Sequence, residues 1–188
     1  MKTQTLFLSL TREMYLGTYR GGLLRAQMDG SNVTTFVNET ETRFNGLVVD
    51  ENASQLYWTD QENNRIQRTR LDGRGGVETV IQLNEWIGPR DMTKAYDKLY
   101  WNSVGYDSLR VVTVRGEDLR VAHNASNGII GLAVVAPKDY YGSGQVGSRC
   151  EGRGCSHMCV PTARSFRCLC PEGMYLLGDS KTCVDESP

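Results

Sequence analysis

One segment of the chain recurs in degenerate form, and this repeat constrains the fold more than any other feature of the sequence. Its clearest copy reads QLYWTD at 55–60 and continues to LDG at 71–73. The tyrosine of this copy, Tyr57, has counterparts at Tyr15 and Tyr100, which lie 42 and 43 residues away. A period of this length is typical of propeller blades, each of which is a small β-sheet. The sequence therefore predicts an all-β fold with about three blades.

Each repeat is expected to be a meander of four antiparallel strands. Aromatic and β-branched residues suit a pleated surface that neighbouring blades cover on both faces, so the Tyr-Trp pair is interpreted as core. Asp-Gly pairs at 29–30 and 72–73 favour tight turns, because glycine adopts a positive φ without a steric penalty. In the clearest copy the four strands are predicted at 46–50, 56–60, 65–71 and 77–81.

The YWTD motif at 57–60, with I-x-R at 66–68 and L-D-G at 71–73, resembles the class B repeat of the low-density lipoprotein receptor family. The resemblance extends over nearly the whole chain, because that family places an EGF-like module directly after a propeller of six such repeats. It implies a partial propeller of about three YWTD blades here, followed by a small disulfide-rich domain. The outer copies depart from the motif at Leu16, Thr18, Asn102, Ser103 and Arg115.

The six cysteines form the second strong pattern, because all of them lie in the last quarter of the chain. They stand at Cys150, Cys155, Cys159, Cys168, Cys170 and Cys183. Counting alone allows fifteen disulfide pairings. The C-x-C at 168–170, with Phe166 before it and Gly173 after it, resembles an EGF-like module, which implies the pairs Cys150–Cys159, Cys155–Cys168 and Cys170–Cys183. In a module this small the bridges would substitute for a hydrophobic core.

Metal and cofactor sites have less support in the sequence. The alternative to the disulfides is a zinc site formed by Cys155, Cys159, Cys168, Cys170 and His157. Zinc sites usually present two paired C-x-x-C or Cys/His knuckles, which are absent from this pattern. A calcium-binding module would place acidic and amide ligands before its first cysteine, but residues 145–149 read QVGSR and Pro161 replaces the expected Asp or Asn. No metal, cofactor or catalytic residue is therefore predicted.

Oxidised cysteines and glycosylation motifs both indicate the secretory pathway. Four asparagines in N-x-S/T sequons are candidate sugar sites: Asn32, Asn38, Asn52 and Asn124. The apolar stretch at 5–10 is too short for a signal-peptide core and is interpreted as the first strand of a blade. Because no apolar run approaches about eighteen residues, no membrane span is predicted and the chain itself is not expected to enter a bilayer.

The domain organisation follows from the limits of these two patterns. Residues 1–141 are predicted to form the propeller portion, 142–149 a flexible Gly/Ser-rich linker and 150–184 the EGF-like domain. A further first strand is predicted at 131–135. Since three blades do not close a ring, the chain is expected to be half of a six-bladed propeller from a longer protein. The alternative is a short product that dimerises or pairs with a missing half.

Charge and motif content exclude several functions. Lys and Arg total 21 against 22 for Asp and Glu, and without a basic stripe neither nucleic acid nor an anionic membrane is a predicted partner. The two histidines, His123 and His157, lie in no nucleophile or metalloprotease motif. Histidine titrates near endosomal pH, so both are candidates for pH-dependent release, although surface or packing roles are the simpler interpretation. No enzymatic activity is predicted, and a propeller hydrolase is a remote alternative.

The loops at one end of the propeller are the predicted ligand-binding surface. Those that join strand two to strand three, and strand four to the next blade, emerge on one face. Trp and Arg together are typical of interface hot spots, although a loop Trp can instead fill the gap between blades. The predicted ligand face consists of Arg43, Phe44, Asn45, Glu62, Trp86, Arg90 and Asp91.

The resemblance implies the extracellular ligand-binding or scaffolding portion of a lipoprotein-receptor-related protein, the ectodomain of a single-pass membrane protein. Its partners would be protein ligands or the remaining blades of a longer chain. An endocytic role and a Wnt co-receptor role are both open. A basement-membrane protein of nidogen type, which carries the same modules, is the structural-protein alternative.

Overall fold

Three four-stranded antiparallel sheets and two short hairpins make up the described part of the chain. The computed structural model describes residues 3–8, 13–19, 22–39, 41–103, 106–124, 129, 131–132, 150, 152–161, 165–171 and 173–185. Every regular element within these residues is a β-strand, which confirms the predicted all-β fold class. No helix among them is long and apolar enough to cross a membrane.

Each four-stranded sheet is one blade, with its strands in sequence order. Blade 1 contains β1 (Thr3–Leu8), β2 (Glu13–Thr18), β3 (Leu23–Gln27) and β4 (Thr34–Val37). Blade 2 contains β5 (Phe44–Asp50), β6 (Gln55–Asp60), β7 (Arg65–Arg70) and β8 (Glu78–Gln82). Blade 3 contains β9 (Pro89–Ala95), β10 (Lys98–Ser103), β11 (Tyr106–Thr113) and β12 (Arg120–Asn124).

Strand register shows that the three blades are structurally equivalent. The repeat tyrosine of each second strand lies opposite one residue of the third strand: Tyr15 opposite Arg25, Tyr57 opposite Arg68, and Tyr100 opposite Val111. The four strands predicted for blade 2 agree with the observed ones to within two residues at each end. The main difference is at the start of β5, which begins at Phe44 rather than Gly46.

Apolar seams between neighbouring blades form the core. Tyr15, Leu23 and Val37 of blade 1 pack with Phe44, Leu47, Leu56 and Trp58 of blade 2. Val48, Tyr57 and Ile66 of blade 2 pack in turn with Met92, Leu99, Trp101 and Val112 of blade 3. Every one of these residues is buried, so the Tyr-Trp pair is core packing in blade 2 as the sequence indicates. Burial also raises the pKa values of the Tyr15 and Tyr57 hydroxyls, which keeps both rings neutral.

A polar bridge crosses the seam between blades 2 and 3 beside the apolar contacts. The Thr59 hydroxyl accepts a hydrogen bond from the Gly46 amide at 2.7 Å and donates one to the carbonyl of Arg90 in blade 3 at 2.5 Å. Asn102 repeats this arrangement in blade 3, because its Oδ1 accepts from the Asp91 amide at 2.8 Å and its Nδ2 donates to the Ile129 carbonyl. The third motif position therefore joins blade 2 to the first strand of blade 3, and joins blade 3 to Ile129 beyond it.

Blade 1 has Gly17 at this motif position, where its backbone lies close to Phe44 of blade 2. A Cβ atom at Gly17 would lie 2.8 Å from the Cβ of Phe44. The loss of the polar side chain in the first copy thus has a physical reason: the Phe44 side chain takes the space that Thr or Asn uses elsewhere.

The EGF-like module consists of two hairpins held by three disulfides. Its strands are β13 (Met158–Pro161), β14 (Phe166–Leu169), β15 (Met174–Leu176) and β16 (Cys183–Asp185). The bridges join Cys150 to Cys159, Cys155 to Cys168 and Cys170 to Cys183, with Cα atoms 5.7, 5.5 and 5.5 Å apart. These are the three pairs that the family resemblance implies, and their spacing suits disulfides rather than zinc ligands.

An ion pair joins this module to blade 1. Nη1 of Arg167 in β14 lies 3.3 Å from Oδ2 of Asp29, in the turn between β3 and β4. The Asp29 side chain is only 5% exposed. A hydrogen bond from the Ser31 hydroxyl, with help from the Ser31 amide and from Arg167, lowers the pKa of Asp29 below its usual 3.8. The carboxylate is therefore charged at every physiological pH.

Three expectations lie wholly or partly outside the described residues. The linker at 142–149 is one, and the residues before Cys150 that bear on calcium binding are another. Of the further strand predicted at 131–135, the structure describes residues 131 and 132, which are in no regular element. The domain boundaries at 141 and 150 therefore stay predictions.

We expect Thr59→Val to lower the free energy of unfolding by about 1–3 kcal/mol, because it leaves the buried Gly46 amide and Arg90 carbonyl without a partner. Urea unfolding of both proteins measures the change. Thr35→Val in β4 is the matched control, since Thr35 is exposed and β-branched. Equal losses in the two variants would contradict the role of the interblade bridge.

We expect the Arg167–Asp29 contact to persist between about pH 5.5 and 7.5. A carboxyl with a lowered folded pKa stabilises the native state above its unfolded pKa, and that stability is lost only as pH falls through the folded value. Hydrogen exchange of residues 28–31 measures the contact, with Asp29→Asn as its broken state. Asp72→Asn is the control, because Asp72 bonds within its own turn. Faster exchange at pH 5.5 in the unmodified chain would count against this assignment.

Candidate ligand face

Several loops emerge together at one end of the three blades. They are the connections between the second and third strands of a blade and those from a fourth strand to the next blade. The described members of this surface, here called the loop face, are Tyr19, 38–39, 41–43, 61–64 and 83–88. The loop face is where the sequence predicts ligand binding, so its geometry decides which residues are available.

Asp60 organises the centre of the loop face. Its fully buried carboxylate accepts hydrogen bonds from Arg65 Nε at 2.9 Å and from Asn63 Nδ2 at 2.8 Å. Longer contacts at 3.4 Å come from the Thr42 hydroxyl and the Arg43 amide of the preceding connection. The last residue of the YWTD motif therefore ties two adjacent loops together, and its charge is balanced by Arg65.

Asn64 fixes the connection between blades 2 and 3. It stands at φ 54°, a left-handed conformation that asparagine tolerates better than most residues. Its Nδ2 donates to the carbonyls of Leu83 and Glu85 at 3.0 and 2.5 Å. Its Oδ1 accepts from the amides of Ile87 and Gly88 at 2.9 and 3.0 Å. One buried side chain thus satisfies four backbone groups of the 83–88 loop.

Trp86 projects from this fixed loop into solvent. Its side chain is 58% exposed, whereas Leu83 and Ile87 on either side are buried in the seam between blades. The indole packs over Gly88, where a Cβ would lie 3.1 Å from the ring, and Gly88 has a positive φ of 57°. The gap between the blades is therefore filled by Leu83 and Ile87, and Trp86 is a preformed apolar contact on the surface.

Arg43 lines a small cavity on the same face. The cavity has a volume of about 30 Å³ and is lined by Tyr19, Glu41, Thr42, Arg43 and Glu62. The guanidinium carbon of Arg43 lies 5.4 Å from the centre of the Tyr19 ring, a cation–π distance. Nε of Arg43 is buried and has no hydrogen-bond partner among the described residues. The Arg43 guanidinium is thus held against the Tyr19 ring, and its Nε–H donor is unused among the described residues.

The prediction of the ligand face is wrong for one residue, Phe44. Phe44 was expected in a loop, but it is the first residue of β5 and is 0% exposed. Its ring lies 5.7 Å from that of Trp58 in the seam between blades 1 and 2. The strand begins two residues earlier than predicted, so this aromatic residue belongs to the core.

The other predicted members differ in availability. Arg90 is exposed at the start of β9, and Glu62 is exposed beside the Arg43 cavity. Asn45 donates to Gln61 Oε1 at 2.6 Å. Asp91 accepts from the amides of Met92 and Leu132 at 3.0 and 2.7 Å. Trp86, Arg90, Arg43 and Glu62 are consequently the members with the most accessible or least committed side chains.

Sequence reasoning places Asn64 on this surface but misses Tyr19. Tyr19 follows β2 directly and is 44% exposed, but its copy of the motif is degenerate and gave no signal. Asn64 closes the tight turn after YWTD, and an Asn at such a position is a recognised signal of left-handed backbone.

The sequons and histidines lie away from the centre of the loop face or on its margin. Asn32 and Asn52 are exposed in the β3–β4 and β5–β6 turns, at the opposite end of the blades. Asn38 and Asn124 are also exposed, but the rest of each sequon is partly outside the described residues. His123 is exposed on β12, and Nδ1 of the exposed His157 lies 3.0 Å from the Ser156 hydroxyl. Within the described ranges, no three His, Cys, Asp or Glu residues are grouped as metal ligands.

Comparison with known proteins gives the same two modules. A family profile described as complement Clr-like EGF-like matches residues 165–185. The chain is 34% identical over 143 residues to low-density lipoprotein receptor-related protein 4 of Rattus norvegicus, covering 76% of this chain and 7% of that protein. It is 29% identical over 166 residues to the vitellogenin receptor Yl of Drosophila melanogaster, covering 85% of this chain and 8% of that protein. The chain thus spans less than a tenth of the length of these curated relatives.

A solved structure supports the fold. The chain matches one in the crystal structure of a nidogen/laminin complex with a TM-score of 0.59 and 20% identity. The match covers 67% of this chain and 50% of that chain. At this identity the similarity shows the propeller architecture alone.

We expect Asn64→Asp to loosen the 83–88 loop. The variant keeps both acceptor bonds to Ile87 and Gly88 but replaces the donating amide with an oxygen that faces the Leu83 and Glu85 carbonyls. Hydrogen exchange at residues 85–88 should accelerate by roughly tenfold or more, with faster quenching of Trp86 fluorescence. Asn84→Asp is the neighbouring control, because it adds the same charge at an exposed position of this loop. Unchanged exchange in Asn64→Asp would show that the amide does not fix the loop.

Proposed function

Because this chain carries the YWTD-type repeats and the EGF-like module of the low-density lipoprotein receptor family, we propose that it is part of a receptor ectodomain that binds extracellular proteins through its loop face. The relatives that support this proposal are receptors by name. On this proposal the chain has no catalytic activity of its own.

The observation that carries the proposal is the preformed, exposed Trp86. Burying an indole that is already fixed costs little conformational entropy, which is why such residues dominate binding energy at interfaces. Arg90 is exposed two residues after Gly88 and would add a cationic contact beside Trp86. Arg43, stacked on Tyr19, would provide a second anchor across the face.

The positions of two predicted glycosylation sites support the same choice of face. Sugars on Asn32 and Asn52 would project from the turn end of the blades, opposite the loop face. They would obstruct a protein partner at the turn end and leave Trp86 accessible. Asn38 lies at the margin of the loop face, so a glycan there would limit the approach from blade 1 only.

The names of the relatives favour a receptor role over a matrix role. The identity of the ligand would distinguish the two roles. A vitellogenin receptor is named for a cargo protein, which fits endocytic uptake, whereas the nidogen/laminin complex pairs matrix proteins. The identity to lipoprotein receptor-related protein 4 leaves a Wnt co-receptor role as the second candidate within the receptor class.

We expect Trp86→Ala combined with Arg90→Ala to weaken ligand capture by about tenfold or more while leaving thermal stability unchanged, because both side chains are exposed. The probes are purified vitellogenin, purified laminin and peptides selected from a phage-displayed library on the immobilised oxidised chain. Biolayer interferometry gives the affinities, and thermal melting gives the stability.

The matched control is Tyr96→Ala combined with Arg120→Ala, which removes an exposed aromatic residue and an exposed arginine away from the loop face. The proposal predicts that this control binds like the unmodified chain. Selected peptides that bind both variants equally would place the binding surface elsewhere, and a library that yields no binder would argue against a protein-binding role.

A further inference from the structure

The loop that joins β7 to β8 is the longest of the three that connect a third strand to a fourth. It spans 71–77, whereas its counterparts in blades 1 and 3 span 28–33 and 114–119. Residues 72–76 are all exposed, and they read DGRGG. Exposed loop tips of small and polar residues are the preferred sites at which proteases cut folded proteins. The β7–β8 loop is therefore a candidate processing site.

Two glycines in the second half of this loop pack against almost nothing. A Cβ atom at Gly75 would meet only the Arg70 side chain, at 3.8 Å, and one at Gly76 would meet nothing within 4 Å. The Gly76 carbonyl accepts a hydrogen bond from the Thr69 hydroxyl at 2.8 Å. Both glycines have a positive φ, of 89° and 76°, and glycine leaves this region without a steric penalty. The backbone after Arg74 can therefore be drawn into an extended conformation at the cost of little more than that bond.

Arg74, which precedes these glycines, has a free side chain. It is exposed, and its guanidinium makes no hydrogen bond or ion pair with a described residue. The neighbouring Arg70 differs, because its Nη2 lies 2.8 Å from Oδ2 of Asp72 and the next residue, Leu71, packs against the first seam. Serine proteases of trypsin-like specificity recognise Arg through an acidic pocket. Arg74 is the arginine of this loop that can enter such a pocket.

Blade 3 has an Arg-Gly pair in the corresponding loop, at Arg115 and Gly116, and there the backbone is packed. Arg115 is exposed, but a Cβ atom at Gly116 would overlap the carbonyl oxygen of Val80 in β8. The Gly116 amide donates to the Thr113 carbonyl at 2.9 Å, and the Thr113 amide donates to the Glu117 carbonyl at 2.9 Å. Extending this loop would break both bonds and separate it from blade 2. Of the two Arg–Gly bonds in equivalent loops, only that of blade 2 can be extended at little cost.

We propose that the Arg74–Gly75 peptide bond is a cleavage site for a secreted serine protease of trypsin-like specificity. Hydrolysis adds one water molecule across the C–N bond, which leaves a carboxylate on Arg74 and an amino group on Gly75. The three disulfides all lie within 150–183, so none joins the two sides of the cleaved bond. The product is a chain of two segments, 1–74 and 75–188, without a covalent link between them.

Strand pairing keeps these two segments together. The ladder between β7 and β8 runs from Arg68 opposite Glu78 to Arg65 opposite Gln82, and Nη2 of Arg68 lies 2.8 Å from the Glu78 carboxylate. Val80 of β8 packs against the second seam. These contacts are all outside the cleaved loop, so the nicked chain stays assembled.

The cleavage leaves the loop face intact. The β7–β8 loop is at the turn end of the blades, opposite the loop face, and β8 continues into the 83–88 loop. Asn64 still bonds that loop, and Leu83 and Ile87 remain in the seam. Trp86 therefore keeps its position after cleavage, and the cleavage site does not depend on which ligand the loop face binds.

The test compares the two Arg–Gly bonds within the oxidised 188-residue chain. The probes are purified trypsin and purified plasmin at a low ratio of enzyme to chain, and mass spectrometry gives the initial rate at each bond. Synthetic peptides 71–79 and 111–119, each with a single arginine, give the intrinsic rates at the same bonds. After division by the peptide rates, Arg74–Gly75 should be cut at least about tenfold faster than Arg115–Gly116, because only the second must open packed backbone.

Two variants and one further measurement complete the test. Arg74→Gln should abolish the cleavage before Gly75, and Arg115→Gln is the matched control that should leave it unchanged. The nicked chain should elute with the uncut chain in gel filtration and separate into its two segments in urea. Equal normalised rates at the two bonds overturn the cleavage site, and so does resistance of Arg74–Gly75 to both proteases. Segments that separate in native buffer overturn the assembled product.

Discussion

Packing of each blade against the next is the interaction on which the rest of the structure depends. A four-stranded meander has two faces, and an isolated sheet of this size cannot bury both. Here the forward face of one blade and the backward face of the next share one apolar cluster, with Trp58 at the centre of the first seam and Trp101 in the second. Burial of these large aromatic side chains provides the main stabilisation. The polar bridge from Thr59 to the Arg90 carbonyl fixes the relative position of blades 2 and 3.

The loops of the loop face are rigid because some of their residues are anchored in these seams. Leu83 and Ile87 are anchored in the apolar cluster, and Asn64 bonds the backbone between and after them, so Trp86 has a fixed position although it is in solvent. Asp60 has the corresponding role for the adjacent loops. A surface built this way can bind a partner with little ordering cost. The EGF-like module is made rigid in a different way. Its three disulfides replace a hydrophobic core, which a module of this size cannot form.

Acidic residues in the turns are held in their charged form by local bonds. The Arg70 side chain and the Arg74 amide lower the pKa of Asp72 to about 2, and the Thr182 hydroxyl and amide lower that of Asp179. Both carboxylates therefore remain charged far below endosomal pH. Acidification to endosomal pH therefore does not neutralise these two turn carboxylates. Any pH response of the chain has to come from groups other than these carboxylates.

The sequence by itself determined the repeat, the strand order within a blade and the module composition. A period of about 43 residues, the alternation of apolar residues and the cysteine spacing are local patterns, and each follows from the geometry of one blade or one small domain. Tertiary structure decided which residues pack against a neighbouring blade and which face solvent. Phe44 and Trp86 are both aromatic residues close to a strand end, yet one is fully buried and the other is largely exposed. That difference depends on where β5 begins and on how Asn64 turns the 83–88 loop, and both depend on contacts with a neighbouring blade that no local pattern contains.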